Sequence, residues 1–414
     1  MRHPALYRTL RSFCLGAFHF LRAELDEGAE LPFAFEEHGS LGRPALYEYR
    51  PLVRPFVESR ASALARHDDA RIALEDLRRE PAAAIFASAH AGAQANEDEA
   101  LFRSVLLPLL VKTSELCGGF DWDDAAFDHA WTELERSLFG KRRSYAAVAP
   151  LVGISVGTQL DLGGGIRIRA AATGELAAHW PEATGLLPAD FGREPDRLCV
   201  LELERELPAA ESDAPDAPGE LADAVTAIRL ATAGAVAAGP VLFERLDWRP
   251  FGIRSVLPIA ATPPGGEPTR LDAFRGRLAA DLRERLALAD DDPELGEALD
   301  RWELSLFQAE PFRSEQLRES LGALLGGADG LWAGAVRAAV LLGESGRERA
   351  ELLERLRALT RGEEAGATAA DAVRRALVET LAHGDRARLV ETLDESLLGV
   401  RPRPAGYFAR AATA

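Results

Sequence analysis

Asp121, Asp123, Asp124, Asp128 and His129 crowd one short stretch of the chain. Carboxylates beside an imidazole at such spacing are a donor set that a divalent cation takes. The first three also straddle a helix start, where acidic side chains accept hydrogen bonds from free backbone N–H groups and meet the positive end of the helix dipole. Capping is their expected use, so no metal site is assigned and no cofactor is expected. Gly163 to Gly165 lack the Lys-Ser/Thr pair that completes a phosphate loop and do not open a helix, so they read as a hairpin-like turn. No serine nucleophile is assigned. Near the end of the chain Arg374, Arg375, Arg386 and Arg388 alternate with Glu379, Asp385 and Glu391. Arg374 and Arg375 are the members of this group that would meet RNA or an acidic partner, although a salt-bridged surface is the plainer expectation. Cys14, Cys117 and Cys199 are too far apart for a cysteine-based zinc knuckle and fit a reducing compartment. Trp302, Trp332 and Phe307 fall on apolar helix faces and are expected in the core rather than on a base-stacking platform.

The elements that would position these groups follow from hydrophobic period. A chain of 414 residues, 47% hydrophobic, is too long for one ordinary core and should divide into two or three domains. Its net charge of −18 sets up a field that repels polyanions, which argues against nonspecific binding to nucleic acid or an anionic membrane. Only Lys112 and Lys141 are lysines, so the positive charge is almost all arginine. Residues 1–140 read as helical, with segments at Leu52 to His67, Ala70 to Arg79, Pro81 to Ala91, Glu97 to Cys117 and Asp124 to Leu138 after a loop through Gly39 and Gly42. Asp69 and Asn96 are read as caps. Lys141, Arg142 and Arg143 form a basic joint. Residues 141–266 then carry strand-like runs at Tyr145 to Val156, Ile166 to Ala170, Leu198 to Leu203 and Val241 to Trp248, around one helix at Leu221 to Val236. An acidic insert from Pro208 to Gly219 reads as a mobile loop, and Thr262 to Gly266 as a linker. Residues 267–399 return to helices, with 400–414 a tail. The fold class expected is α+β, mainly α. Arg8, Arg11, His19 and Arg22 interrupt the first apolar segment, which is therefore no export signal, and no run approaches a membrane span; a cytoplasmic protein is expected.

The strongest pattern lies at Leu295 to Gly343. Leu295, Leu299, Trp302 and Leu306, then Leu317, Leu321, Leu324 and Leu325, then Leu331, Ala335, Ala339 and Leu342 recur at helical spacing, with breaks at Pro311 and at Gly326, Gly327 and Gly330. Three amphipathic helices with short joints must fold back on one another as a bundle. The order Ala298 to Glu303, Gln316 to Leu325 and Val336 to Gly343 resembles the C-terminal helical module of bacterial HEPN proteins, in particular the Apea-like HEPN group. Upstream, Ala149 to Gly153, Asp161 to Arg169 and Gly174 to Leu176 are similar to the β-rich segment such proteins carry before the bundle. The likeness covers residues 145–399.

The resemblance implies a metal-independent endoribonuclease whose Arg and His meet their counterparts across a dimer interface, the His exchanging a proton with a 2′-hydroxyl and the Arg stabilising phosphorane charge. The stretch that matches the family's motif is Leu353 to Gly362, which keeps Arg355, Arg357 and Arg361 but has no His. Arginine cannot act as a general base near neutral pH. His383 stands eight positions after Arg375, beyond the family's spacing. Arg60 and His67 fit the spacing but lie outside the similar region, and are expected on a solvated helix face beside Arg54, Glu58 and Arg66. The expectation is a degenerate HEPN-like protein that binds RNA, dimerises through its C-terminal bundle or docks a protein partner, away from membranes. The alternatives are an active HEPN endoribonuclease built on Arg357, Arg361 and His383, and a helical scaffold of another family.

Overall fold

Leu6, Leu10, Phe13, Phe18 and Leu21 return every three to five residues, and the segment that carries them, Pro4–Asp26, forms the first helix (α1) with those side chains buried. The computed structural model describes residues 3–38, 46–91, 97–140, 142–172, 175, 199–208, 215–239, 241–246, 249–255 and 267–407. Gly39, Gly42, Asn96, Lys141, Gly174, Leu176, Trp248, half of the Pro208 to Gly219 insert and the Thr262 to Gly266 linker lie outside the described residues. Helices at both ends flank a small antiparallel sheet, so the fold is α+β and mainly α.

After α1 come a hairpin, β1 (Phe33–His38) and β2 (Leu46–Pro51), then α2 (Val53–Glu58), α3 (Ala61–Leu64), α4 (Asp68–Arg78), α5 (Pro81–Ala91) and α6 (Glu97–Leu101). A π-helical turn (Phe102–Leu106) runs on into α7 (Leu107–Cys117), and α8 (Asp124–Phe139) follows. Two features were not foreseen. Paired strands flank residues 39–45, where the anticipated loop lies outside the described residues, and the helix foreseen over Leu52 to His67 splits at Ser59 and Arg60. Asp69 is not a cap: the N-cap of α4 is His67, and Asp69 accepts a hydrogen bond from Ser12 at 3.1 Å. One apolar cluster from Leu6 to Leu138 unites these helices.

A second cluster runs from Tyr145 to Leu393 and joins the sheet to the C-terminal helices without a break. The sheet order is β10 (Arg249–Ser255), β9 (Val241–Leu246), β3 (Arg142–Val152), β7 (Cys199–Pro208), β6 (Ile166–Ala170) and β5 (Leu160–Asp161), all antiparallel. Two-residue β8 (Ala237–Ala238) adds to β3, while β4 (Ile154–Val156) pairs in parallel with β11 (Thr269–Leu271), a strand where only helix was expected. The glycine run is the turn between β5 and β6, with φ of +80°, +60° and +80°. Gly165 has no alternative there, since a Cβ would stand 2.3 Å from the Glu204 carbonyl oxygen.

Tyr145, Ala147, Ala149 and Leu151 alternate along β3 toward α9 (Ala217–Thr232). The remaining helices are α10 (Ala273–Arg285), α11 (Leu288–Asp291), α12 (Pro293–Ser305), α13 (Phe312–Leu321), α14 (Gly330–Leu342), α15 (Gly346–Arg361), α16 (Ala367–His383) and α17 (Arg386–Leu397). The three amphipathic helices thus form, with Leu317, Leu321, Leu324 and Leu325 fully buried. Phe312–Leu342 is long and apolar enough by composition to cross a membrane, contrary to expectation, yet over half of its most apolar window is buried inside the protein. Gly327 (φ +52°) and Gly330 (φ +81°) break it, and α14 packs back on the turn before it.

Buried arginines tie these helices together. Arg337 on α14 donates from Nε and Nη2 to Asp394 at 2.7 and 2.8 Å, and from Nη1 to the carbonyls of Leu325 and Gly326 at 2.9 and 3.2 Å. Those carbonyls stand where the π-helical turn Gly322–Gly326 gives way to the glycine break before α14. Arg337→Ala is expected to lower stability by about 2–4 kcal/mol, with Arg337→Lys recovering only part because an ammonium lacks the planar fork; chemical denaturation measures both. Asp292 caps α12 through Leu295 N–H at 3.1 Å and accepts both bonds of Arg386 at 2.8 and 3.0 Å. Burial pushes its carboxyl up, but the bonds from Arg386 and Leu295 outweigh that and hold it below the ordinary range. A lowered folded-state value gives stability that is present above the unfolded value, about 4, and is lost as pH falls through the folded one. Asp292→Asn should therefore destabilise the protein at neutral pH and progressively less below about pH 4, in urea melts taken across that range.

Candidate functional site

The residues assigned a role in the bundle occupy different ends of it. Arg361 is the exposed last residue of α15, and His383 is the last residue of α16, its ring Nδ1 3.0 Å from the Asp385 carbonyl oxygen. The two helices are joined by a short link and pack against each other, so they run antiparallel. The 17 residues of α16 therefore hold Arg361 and His383 about 25 Å apart along the axis. Arg357 pairs with Glu354 at 2.6 Å and lies 6.0 Å from the Trp332 ring. Trp332 is half exposed rather than in the core, Trp302 is buried, and Phe307 carries the Arg229 guanidinium 4.8 Å from its centroid.

Arg374 binds Asp371 at 2.7 Å and donates at 2.7 Å to the Leu230 carbonyl, which closes the end of α9. Arg375, half-buried, lies close enough to Glu348 to help hold that carboxyl low, after the bonds from the backbone N–H groups of Glu344 and Ser345. Arg386 is clamped on Asp292 and Glu294. Arg60 and His67 do not share a helix: Arg60 binds Glu24 at 3.2 Å and stacks 3.6 Å over Phe56, while His67 meets the Phe20 ring edge at 4.9 Å. Arg54, expected in solvent beside them, is buried against Glu58 and Glu115. The acidic stretch at Asp121 ties α8 to α1. Asp121 pairs with Arg22 and Asp124 with Arg11; Asp128 accepts from Tyr7 at 2.6 Å, and Asp123 is the N-cap. Among the described residues no group of three or more His, Cys, Asp or Glu is placed to hold a metal.

One spacing was passed over. Gly153-Ile-Ser155-Val-Gly157 has the Gly-x-Ser-x-Gly pattern, but Ser155 lies inside β4, opposite Arg270, and not on the strand-to-helix turn that exposes a nucleophile.

The constellation that sequence reasoning missed sits on the sheet face opposite α9. Pairing register puts Arg167 beside Glu202 on one side, and Val148 beside Glu202 on the other. Glu202 is 1% exposed and accepts from Arg167 at 3.0 Å, Arg169 at 3.1 Å and Arg245 at 2.6 Å. Arg169 also forks onto Glu175 at 2.6 and 2.9 Å, and Glu175 accepts from Ala172 N–H. Burial pushes the Glu175 carboxyl up, but Arg169, Ala172 N–H and the nearby Arg245 charge more than offset it and leave it below its ordinary value. The only trace of this in the sequence is Arg-Ile-Arg on β6 against Glu-Leu-Glu on β7, alternation that pairing turns into opposite charges face to face. Such a cluster holds charge in fixed places and has no group poised to exchange a proton with a substrate. Compared with models of protein families, with curated proteins and with solved structures, the chain matches none. Glu202→Gln removes the charge that three guanidinium groups share while keeping the shape, and should cost about 3 kcal/mol or more in denaturant unfolding.

Proposed function

We propose that the chain is a non-catalytic, HEPN-like binding and scaffold protein of a bacterial defence or stress system, whose C-terminal bundle is architecture for dimerisation or for docking RNA or a protein partner. The observation that carries the non-catalytic part is the separation of Arg361 from His383 by the length of α16. A general base and a phosphorane-stabilising cation act on one phosphate and must stand within hydrogen-bond reach of it together. Arg357, Arg374 and Arg386 are engaged by carboxylates or carbonyls of the chain itself. The family part rests on the three-helix order and the β-rich segment before it.

The test is cleavage of a mixed set of labelled RNAs by the purified protein in EDTA, with Arg361→Ala and His383→Ala alongside. No cleavage above background is expected, and neither substitution should change the result. Metal-independent cleavage lost in either variant would replace this reading with an active endoribonuclease whose site is completed across a dimer.

A further inference from the structure

Arg142 and Arg143, which follow α8, are not absorbed by the bundle. They line a cleft of about 530 Å³ between α7 and α8 on one side and β3, β7 and β9 on the other. That volume falls within the range of small-ligand clefts. Five cationic side chains line it: Lys112, Arg136, Arg142, Arg143 and Arg245. Three carboxylates face them, those of Glu133, Glu204 and Glu206. Five positive less three negative charges leave +2, in a chain whose net charge is −18.

The carboxylates are already engaged. Glu133 pairs with Lys112 at 3.3 Å and with His129 at 3.2 Å, Glu206 with Arg142 at 2.8 Å, and Glu204 with Arg167 at 2.7 Å. Arg136 and Arg143 have no hydrogen-bond or ion-pair partner among the described residues. Arg245 spends one Nη on Glu202, and its Nε is buried with no hydrogen-bond partner among them. A buried donor without an acceptor is costly, and a guanidinium presents a fork that suits the oxygens of a phosphate. Arg245 Nε is such a donor, and the half-buried Arg143 and exposed Arg136 bring their guanidinium groups to the same polar cleft. Among the described residues no aromatic ring lines it, so these offer nothing for a base to stack on and recognition falls on the anion itself.

We propose that this cleft is a binding site for a small molecule carrying two or more phosphate groups, held by Arg136, Arg143 and Arg245. Two phosphates match the uncompensated charge, and the ligand bridges the helical N-terminal part to the sheet. The site lies outside the bundle, so its test is independent of the RNA-cleavage assay.

Titration calorimetry of the full chain with sodium pyrophosphate, inorganic phosphate and a single-stranded RNA oligonucleotide distinguishes the sources of phosphate. Pyrophosphate is expected to bind with a Kd of roughly 1–100 μM at moderate salt, tighter than inorganic phosphate. Arg136→Gln and Arg143→Gln should each weaken it by about tenfold, the loss of one charge-assisted hydrogen bond, with an unchanged melting temperature because neither side chain has a partner to leave behind. Absence of heat up to about 10 mM pyrophosphate, or binding that both variants retain in full, overturns the proposal. Equal affinity for phosphate and pyrophosphate overturns the two-phosphate assignment. Binding of RNA alone, with a steep salt dependence from many phosphates, would make the cleft part of a strand groove instead.

Discussion

The burial of the apolar face of α9 is the constraint on which the larger half of this protein depends. Leu221, Ala224, Val225, Ala227, Ile228, Leu230 and Ala231 are buried and leave only a narrow polar edge, with Asp223 exposed, and so wide an apolar face must be enclosed. The sheet covers it on one side and α10 on the other, so the β-rich segment and the bundle cannot hold separate cores. Its polar atoms are met from several elements. Thr226 and Arg229 both reach Glu303 on α12, at 2.6 and 3.0 Å, and Arg374 on α16 takes the Leu230 carbonyl.

That enclosure explains the use of arginine. A buried helix end leaves carbonyls that water cannot reach, and a long side chain with five donors can satisfy them from a neighbouring helix. Arg337 and Arg374 serve in this way while pairing with a carboxylate, and Arg229 pairs with Glu303 while donating to the Val236 carbonyl in the link after α9 at 2.9 Å. Such groups contribute definition more than net stability, because desolvation offsets much of their Coulomb attraction, but deleting one partner strands the others. These arginines of the larger half are in this sense fastenings, while Arg136 and Arg143 stand beside the sheet with no ion-pair partner among the described residues.

In the bundle, the guanidinium groups of Arg337, Arg357, Arg374 and Arg386 face carboxylates of their own chain within hydrogen-bond distance. At the cleft below β3, the pairing stops short and a positive excess remains in an otherwise acidic molecule, where a local field is strongest if the walls exclude water.

Most helix positions, the glycine turn before Ile166 and the cap Asp123 were legible in the sequence, because each depends on residues close to one another along the chain. The three-helix pattern from Leu295 to Gly343 was legible for the same reason: its apolar period is local, and the breaks are marked by Pro311 and glycine. Strand pairing was not. The β1–β2 hairpin and the β4–β11 pair obey no short-range signal beyond extended residues, and register decides them. Nor could periodicity tell buried Arg54 and Arg337 from solvated arginine, since burial of a charge depends on acceptors supplied by distant residues such as Glu115 and Asp394. The sequence by itself determined most of the segments that are helices and that they share apolar faces. Only the tertiary structure decided that Arg361 and His383 stand apart, that Glu202 gathers three arginines, and that Lys112, Arg143 and Arg245 line one cleft, because those relations are set by chain reversal and strand register between residues far apart in sequence.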